Sequence, residues 1–516
     1  MSIPRRAALI LLLLVPSALV AWAWRSMPQL GFYHDDSLFW VSGQGIAQGH
    51  GYRILSLPGE PFQTKYPPLF PAMLALVWKL NPSFPANLPL ATIMIWSVFP
   101  VYLFLVLELL RRLRFSLAEQ IALTALAAVN PMAVLLSCSM MPELLFTTLL
   151  LGVFLVRSPV WRGFLGALAY LAKSAALPLL LAIPACYLIR RQYRQAMLFI
   201  AAMLPAVLVW QAWVQTHLSR SRDLVTLYYT NYLGFQLYNV SWRDLPLVIW
   251  YNLDSFLMGV GKLLTFDVAL FESKHVERLV AIAAIAGVIR LARKTGEIEY
   301  PVFAGVFTLM LLVWHYQPDQ RFVFPLYPLL LAGLWAELRN VGLALQASWR
   351  RNAAGDRVAA AAFGSVLAAF ALFVISASLL GVSMFLPRLL ANYRDDLYAR
   401  LPAYNWLKQS ASMQASVFAY DDPLVYLYTG RHACNLPIPT KLYYHDDQAG
   451  LDRMVDEVPT FAADHQLDYV LLTPTDFYRD LHEARARRLS QTVAASPDAR
   501  ELYRSAAAAI FSIAKR

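Results

Sequence analysis

Asp35 and Asp36 follow the first long apolar run of the chain, and downstream of them the sequence reads Lys65-Tyr66-Pro67-Pro68. Carboxylates at a membrane face are expensive to keep there and tend to be functional. An acidic pair can take a proton, and a cation beside a rigid double proline can hold a phosphate. More residues of these two kinds stand at the ends of later apolar runs. Glu143 follows Pro142, and Lys173 lies between two short apolar pieces. The turn His315-Tyr316-Gln317-Pro318-Asp319-Gln320-Arg321 separates two more. Together they suit a charged, lipid-anchored substrate.

Each residue also has a plain structural reading. An acidic pair in a loop is ordinarily just solvated. Lys65 could snorkel at the interface. Glu143 could favour the N-terminus of the helix that follows it. His315 could be a satisfied structural histidine, and Arg321 an ordinary flanking charge. Lys173 is harder to dismiss, because a cation between apolar segments needs a partner or an anionic ligand. The set is more persuasive than any member.

The elements that would position these residues follow from composition. The 516 residues are 58% hydrophobic and 15% charged, against about 25% charged in soluble domains. Long apolar runs recur, so the chain is mainly α, a polytopic membrane helix bundle. The net charge of +11 does not signal nucleic acid, because of where it lies. From Arg388 onward 15 Lys/Arg face 16 Asp/Glu, whereas the preceding residues carry 29 against 17. The excess falls in short loops, the positive-inside pattern. Cys138, Cys186 and Cys434 are isolated, with neither metal spacing nor a disulfide framework.

Arg5-Arg6 precede an apolar run to Trp24, and Ala21-Trp22-Ala23 mimics a signal-peptide cleavage site. The run is long and many more follow, so an uncleaved first helix with a cytoplasmic N-terminus is expected. Basic clusters at Arg111-Arg112-Leu113-Arg114, Arg157 with Arg162, Arg190-Arg191 with Arg194, Arg290 with Arg293-Lys294, and from Arg339 to Arg357 mark cytoplasmic returns. Between them spans are expected near 7–24, 91–110, 119–137, 142–157, 163–173, 175–189, 196–214, 276–292, 301–315, 322–338 and 358–386. These eleven spans put the C-terminus outside, and every candidate residue on one side of the membrane.

Three outer segments result. Loop 25–90 is aromatic, with a surface helix expected over 68–80. Loop 215–275 is rich in interfacial tyrosine and tryptophan. The tail 388–516 reads as an extracytoplasmic α/β domain following the membrane domain 1–387. Its expected elements are a helix at 393–411, a strand at 415–420, a helix near 449–465, a strand at 468–472 and a further helix. Asp421-Asp422 before Pro423 reads as a helix cap, and nothing in the tail reads as an acid–base constellation.

The runs Phe32-Tyr33-His34-Asp35-Asp36-Ser37, Gln48-Gly49-His50-Gly51-Tyr52 and Lys65-Tyr66-Pro67-Pro68-Leu69-Phe70-Pro71 resemble the first periplasmic loop of GT-C glycosyltransferases. The similarity is to the bacterial branch related to dolichyl-phosphate-mannose protein mannosyltransferases and to the aminoarabinose transferase of lipid A. The region from Gly166 to Lys173, the run from Arg321 to Leu326 and that from Tyr426 to Arg431 resemble the same group. That group often has Asp-Glu where this chain has Asp35-Asp36.

The resemblance implies a glycosyltransferase of the bacterial inner membrane. It would move a sugar from a polyprenyl phosphate to a lipid, glycan or protein acceptor outside. Asp35, Asp36 and Glu143 are then the candidate catalytic acids. Lys65, Tyr66, Lys173, His315, Gln320 and Arg321 are the candidate substrate-binding residues. Three cations could make a divalent metal unnecessary, while the nearby acids could hold one. Direct displacement would invert the anomeric centre. Two rival readings are a transporter, which lacks the expected inverted repeat, and a sensor or scaffold with an outer ligand-binding tail.

Overall fold

The computed structural model describes residues 3–25, 30–266, 274–350 and 354–514. Residues 26–29 and 267–273 of the two long loops, Arg351 of the basic run and the final residues 515–516 lie outside the described residues. The chain is a bundle of apolar helices joined to a small C-terminal sheet. Among the described residues five helices are long and apolar enough to cross a membrane by length and composition: Leu88–Arg112, Tyr193–His217, Leu245–Thr265, Gln320–Arg350 and Arg357–Ser410. Shorter apolar helices fill most of the other expected spans, as with Glu143–Leu155 and Glu299–Leu312.

Two helices lie in the first outer loop. Leu69–Leu80 matches the expected surface helix; Asp35–Gln48 was not expected. They pack with Trp40 against Trp78, whose indole Nε1 donates to the Trp40 carbonyl at 3.1 Å. The short pieces on either side of Lys173 form helices Pro159–Ala172 and Leu179–Ile189, and extended backbone at Lys173 breaks the run between them. The span expected over 119–137 is interrupted. Its helix ends at Ala128, and Asn130 caps a new one beginning at Pro131.

The loop expected over 215–275 is largely helical. It holds Leu224–Thr230, Tyr232–Asn239 and the 21-residue Leu245–Thr265. In the last of these helices Asn252 and Gly261 are packing sites. Asn252 Nδ2 donates to the carbonyls of Leu311, Leu312 and Trp314 at 3.2, 3.1 and 2.7 Å. Gly261 lets the Glu277 backbone approach where a Cβ would collide. Close helix contact through small residues replaces the hydrophobic drive that lipid cannot supply.

No break separates bundle from tail at 388. Helices Ala354–Leu380 and Leu386–Ser410 run together through one π-helical turn, so the last expected span continues into the tail's first helix. The sheet has five strands: β1 Ser416–Phe418, β2 His432–Cys434, β3 Tyr469–Leu472, β4 Ala499–Arg504 and β5 Ala509–Ile513. Their order is β2-β1-β3-β5-β4, with β1 parallel to β2 and β3, and β5 antiparallel to β3 and β4. The expected strands at 415–420 and 468–472 are β1 and β3. The helix expected near 449–465 is two, Gln448–Asp456 and Val458–Asp464.

Candidate active site

A cavity of about 870 Å³ lies between the first long loop, the neighbouring helix ends and the tail. Asp35 opens helix Asp35–Gln48, where carboxylates in the first turn are favoured by the helix dipole. His34 precedes it with φ 61°, a backbone conformation that lets the chain turn sharply into the helix. Asp35 lines the cavity. It accepts the Tyr66 hydroxyl at 2.6 Å and Arg321 Nη1 at 3.2 Å, one on each oxygen.

Asp36 has a different environment. It is fully buried, does not line the cavity and accepts from the backbone N–H groups of Gly31, Tyr33 and Ser37 at 2.7, 3.0 and 2.5 Å. The Ser37 hydroxyl adds a fourth bond at 3.0 Å. Asp36 ties the loop that places Asp35 and does not line the cavity. Consecutive helical residues point about 100° apart; here Asp35 turns to the cavity and Asp36 to the backbone of the preceding loop.

The cations converge from three distant segments. Arg321 stands in the turn that begins helix Gln320–Val323, whose cap Asp319 accepts from the N–H groups of Arg321 and Phe322 at 2.9 and 3.2 Å. Its Nη1 lies 3.8 Å from Glu143 Oε1, and Lys173 Nζ donates to that same oxygen at 2.8 Å. Asp35, Arg321, Glu143 and Lys173 therefore form one chain of alternating charge. Glu143 Oε2 and Arg321 Nε remain buried without partners. Lys65 stands apart, with Nζ 4.2 Å from the Tyr228 ring centroid and 5.2 and 5.8 Å from those of Tyr66 and Tyr232. Such aromatic faces hold a cation without neutralising it. Gln63 Oε1 fixes that turn by accepting from the N–H groups of Lys65 and Tyr66 at 3.0 and 3.2 Å.

His315 and Gln320 do not line the cavity, unlike Tyr316, Gln317, Asp319 and Arg321 of the same turn. His315 is buried, with Nδ1 2.6 Å from Gln236 Oε1, but its Nε2 has no hydrogen-bond partner, so the reading as a satisfied histidine holds for one ring nitrogen only. Burial, and then Lys65, push it down to about 3, so it is neutral at physiological pH. Burial raises the Asp35 carboxyl, but Arg321, Lys65 and the Tyr66 hydroxyl outweigh it and hold the group at about 2. Burial lifts Asp36 to about 6 despite its hydrogen bonds. Burial also lowers Lys65 to about 8, with the Asp35 carboxylate opposing.

Sequence reasoning missed the tail's contribution. Asp422 does not cap its helix. Its Oδ1 lies 2.7 Å from His34 Nε2 and accepts the Tyr229 hydroxyl at 2.8 Å. His34 therefore joins the neighbour of Asp35 to the tail, and Asp422 raises its pKa against the lowering effect of burial. His34's place beside Asp35 and the run of tyrosines from 228 to 232 were the signals available. As for a metal, Asp35 and Glu143 share the Arg321 guanidinium, so a cation already occupies the position between the two acids. Among the described residues no three His, Cys, Asp or Glu side chains gather as a ligand set.

No family model and no curated protein matches this chain. Solved structures do. The fold is a polytopic helical bundle carrying a C-terminal domain. It is the fold of ArnT from Cupriavidus metallidurans, which in its apo state aligns over 97% of this chain and 97% of its own at a TM-score of 0.52 and 12% identity. ArnT bound to undecaprenyl phosphate aligns with the same coverage, score and identity. The arabinofuranosyltransferase AftD from Mycobacteria covers all of this chain with 40% of its own, at a TM-score of 0.44 and 15% identity.

Proposed function

We propose that the protein is a membrane glycosyltransferase that moves a sugar from a polyprenyl phosphate to an acceptor hydroxyl. The observation that carries this reading is the placement of Asp35 and Glu143 with Lys65, Lys173 and Arg321 around one cavity. Three cations on one cavity suit an anionic phosphodiester donor. ArnT, whose fold the chain shares, has been solved bound to undecaprenyl phosphate, a polyprenyl phosphate like the carrier such a donor would leave behind.

In this reading the donor phosphate seats on Lys65, Arg321 and Lys173. The bond from the anomeric carbon to the phosphate oxygen breaks, and its electron pair leaves with the polyprenyl phosphate. Positive charge develops on the sugar, and the cations stabilise the departing anion. An acceptor hydroxyl forms the new bond from the opposite face, inverting the centre, and its proton passes to Asp35. Tyr66 and Arg321 orient that carboxylate, and Glu143 holds the two cations on either side of it. The loop 25–90 carries the base within a membrane domain 1–387. The tail 388–516 closes the cavity on the outer face of a bacterial inner membrane, with the N-terminus in the cytoplasm.

Purified protein incubated with a radiolabelled polyprenyl-phosphate sugar and an envelope extract should consume the donor and label an acceptor. Vectorial movement of intact donor into proteoliposomes, without cleavage, would replace the enzyme by a transporter. Donor neither bound nor consumed would leave neither reading standing.

A further inference from the structure

The end of the cavity away from the cations is built by the tail. Strands β2, β1 and β3 are parallel, and the segments leaving their carboxyl ends line it: Tyr420 and Asp421 after β1, Asn435 after β2, and Thr475, Asp476 and Phe477 after β3. From β1 the chain crosses to β2 on one side, and from β2 it returns to β3 on the other. The order reverses between β1 and β3, and in such sheets the crevice at a reversal is where ligands bind.

This crevice is organised. Arg400, on the helix Leu386–Ser410, bridges its two walls, with Nη1 donating to Asp421 Oδ2 at 2.8 Å and Nη2 to Thr475 Oγ1 at 3.1 Å. Asp476 is braced by the Thr473 N–H at 2.8 Å and the Thr473 hydroxyl at 2.5 Å. Tyr420 and Phe477 pack edge to face with centroids 4.6 Å apart. Two atoms are unfinished. Asn435 is 8% exposed and Thr440 5% exposed; both line the cavity, and Asn435 Oδ1 and Thr440 Oγ1 lack partners. A buried polar atom left unpaired is unfavourable until something satisfies it.

We propose that this crevice is the acceptor subsite and that the acceptor presents a sugar ring to it, a proposal that rests on the glycosyltransferase reading above. An unsatisfied amide oxygen asks for a ligand that donates a hydrogen bond. A phosphate donates poorly and would meet Asp421 and Asp476; an acyl chain donates nothing. A sugar offers hydroxyls at its edge and an apolar face for the ring of Tyr420, which Phe477 braces from the core. An extended peptide would pair with a sheet edge, but the β2 edge is already taken, since the Ala433 N–H donates to the Ser56 carbonyl at 2.8 Å. The cavity then has a cationic end for the donor phosphate and a polyol-binding end for the acceptor.

The test uses the full chain in detergent, with the variants Asn435→Ala and Thr440→Val. Each removes an unpartnered atom, so both should fold as the wild type does. One arm measures binding of maltotriose, mannotriose and chitotriose; a second uses vesicles bearing a monoglycosyl diacylglycerol. Saturation in either arm, weakened at least tenfold when both substitutions are combined, is the expected result, and the arm that responds tells whether the ring is free or lipid-borne. No binding in either arm, binding unaffected by the variants, or a serine- and threonine-containing hexapeptide that binds in place of the sugars would overturn the proposal. Undecaprenyl phosphate binding is measured on the same samples. Its loss in the wild type would count against the glycosyltransferase reading itself, whereas its retention with sugars failing would sink only the acceptor subsite.

Discussion

Alkaline pH should release the donor phosphate from this site, and Lys65 should be the reason. Burial lowers its ammonium to about 8, against the pull of Asp35. A phosphate prefers the protonated form, so affinity is full below that value and falls as pH rises through it. One proton sets a limiting slope of about tenfold per pH unit. The fall ends where the phosphate-bound lysine itself titrates. A charge-assisted hydrogen bond contributes roughly 1.5–3 kcal/mol, so the total loss should be roughly 10- to 150-fold. Asp35, held at about 2, stays ionised throughout and contributes no slope. The assay is equilibrium binding of undecaprenyl phosphate from pH 7 to 10, a window that begins above the second phosphate ionisation near ~6. Arginine keeps its charge throughout, so Lys65→Arg should flatten the profile even if its absolute affinity is lower. A flat wild-type profile, or the same fall in Lys65→Arg, would refute the assignment of Lys65 to the phosphate.

Three further outcomes are expected. Asp35→Asn keeps an oxygen for the Tyr66 hydroxyl and should bind donor normally while losing roughly 10²–10⁴ in turnover; ordinary turnover would remove Asp35 as the base. Asp36→Asn disturbs an acceptor of three backbone N–H groups and should lower stability by about 1–3 kcal/mol in thermal unfolding. A collapse in turnover at unchanged Tm would instead make Asp36 the base. Met413→Cys places a thiol at a position 62% exposed in a chain whose own cysteines are buried. It should react with an impermeant maleimide in intact spheroplasts; labelling only after lysis would put the tail in the cytoplasm.

The legible part of this protein was the part governed by solvation. Apolar runs and basic clusters mark helices and returns because charge in lipid is costly whatever the partner. That logic brought Asp35, Lys65, Glu143, Lys173 and Arg321 to one side, and the structure gathers all five around the cavity. It could not separate Asp35 from Asp36, because their difference is one of rotation about a helix. It also kept His315 and Gln320 in the set, since position in an outer turn says nothing about which side chains point inward. The helix Leu245–Thr265 was read as part of a loop rich in interfacial tyrosine and tryptophan, whereas its Asn252 is buried on the carbonyls of Leu311, Leu312 and Trp314.

What stayed hidden was long-range pairing. His34 and Asp422 are 388 residues apart, and neither has a local signal that demands the other. Asp421-Asp422 before a proline looks like a cap by every local rule, yet Asp422 is buried against His34 and Tyr229 while Asp421 holds Arg400 at the cavity wall. The tail is therefore not a lid laid over a finished site. One of its carboxylates holds the residue next to Asp35, its β2 edge is covered by the loop that bears Lys65, and its strand ends form a wall of the cavity. Deleting it would remove His34's partner together with that wall. Loss of activity in a truncated chain would thus not distinguish acceptor recognition from donor-site geometry, whereas substitutions at Asn435 and Thr440, which touch neither Asp35 nor the cations, can.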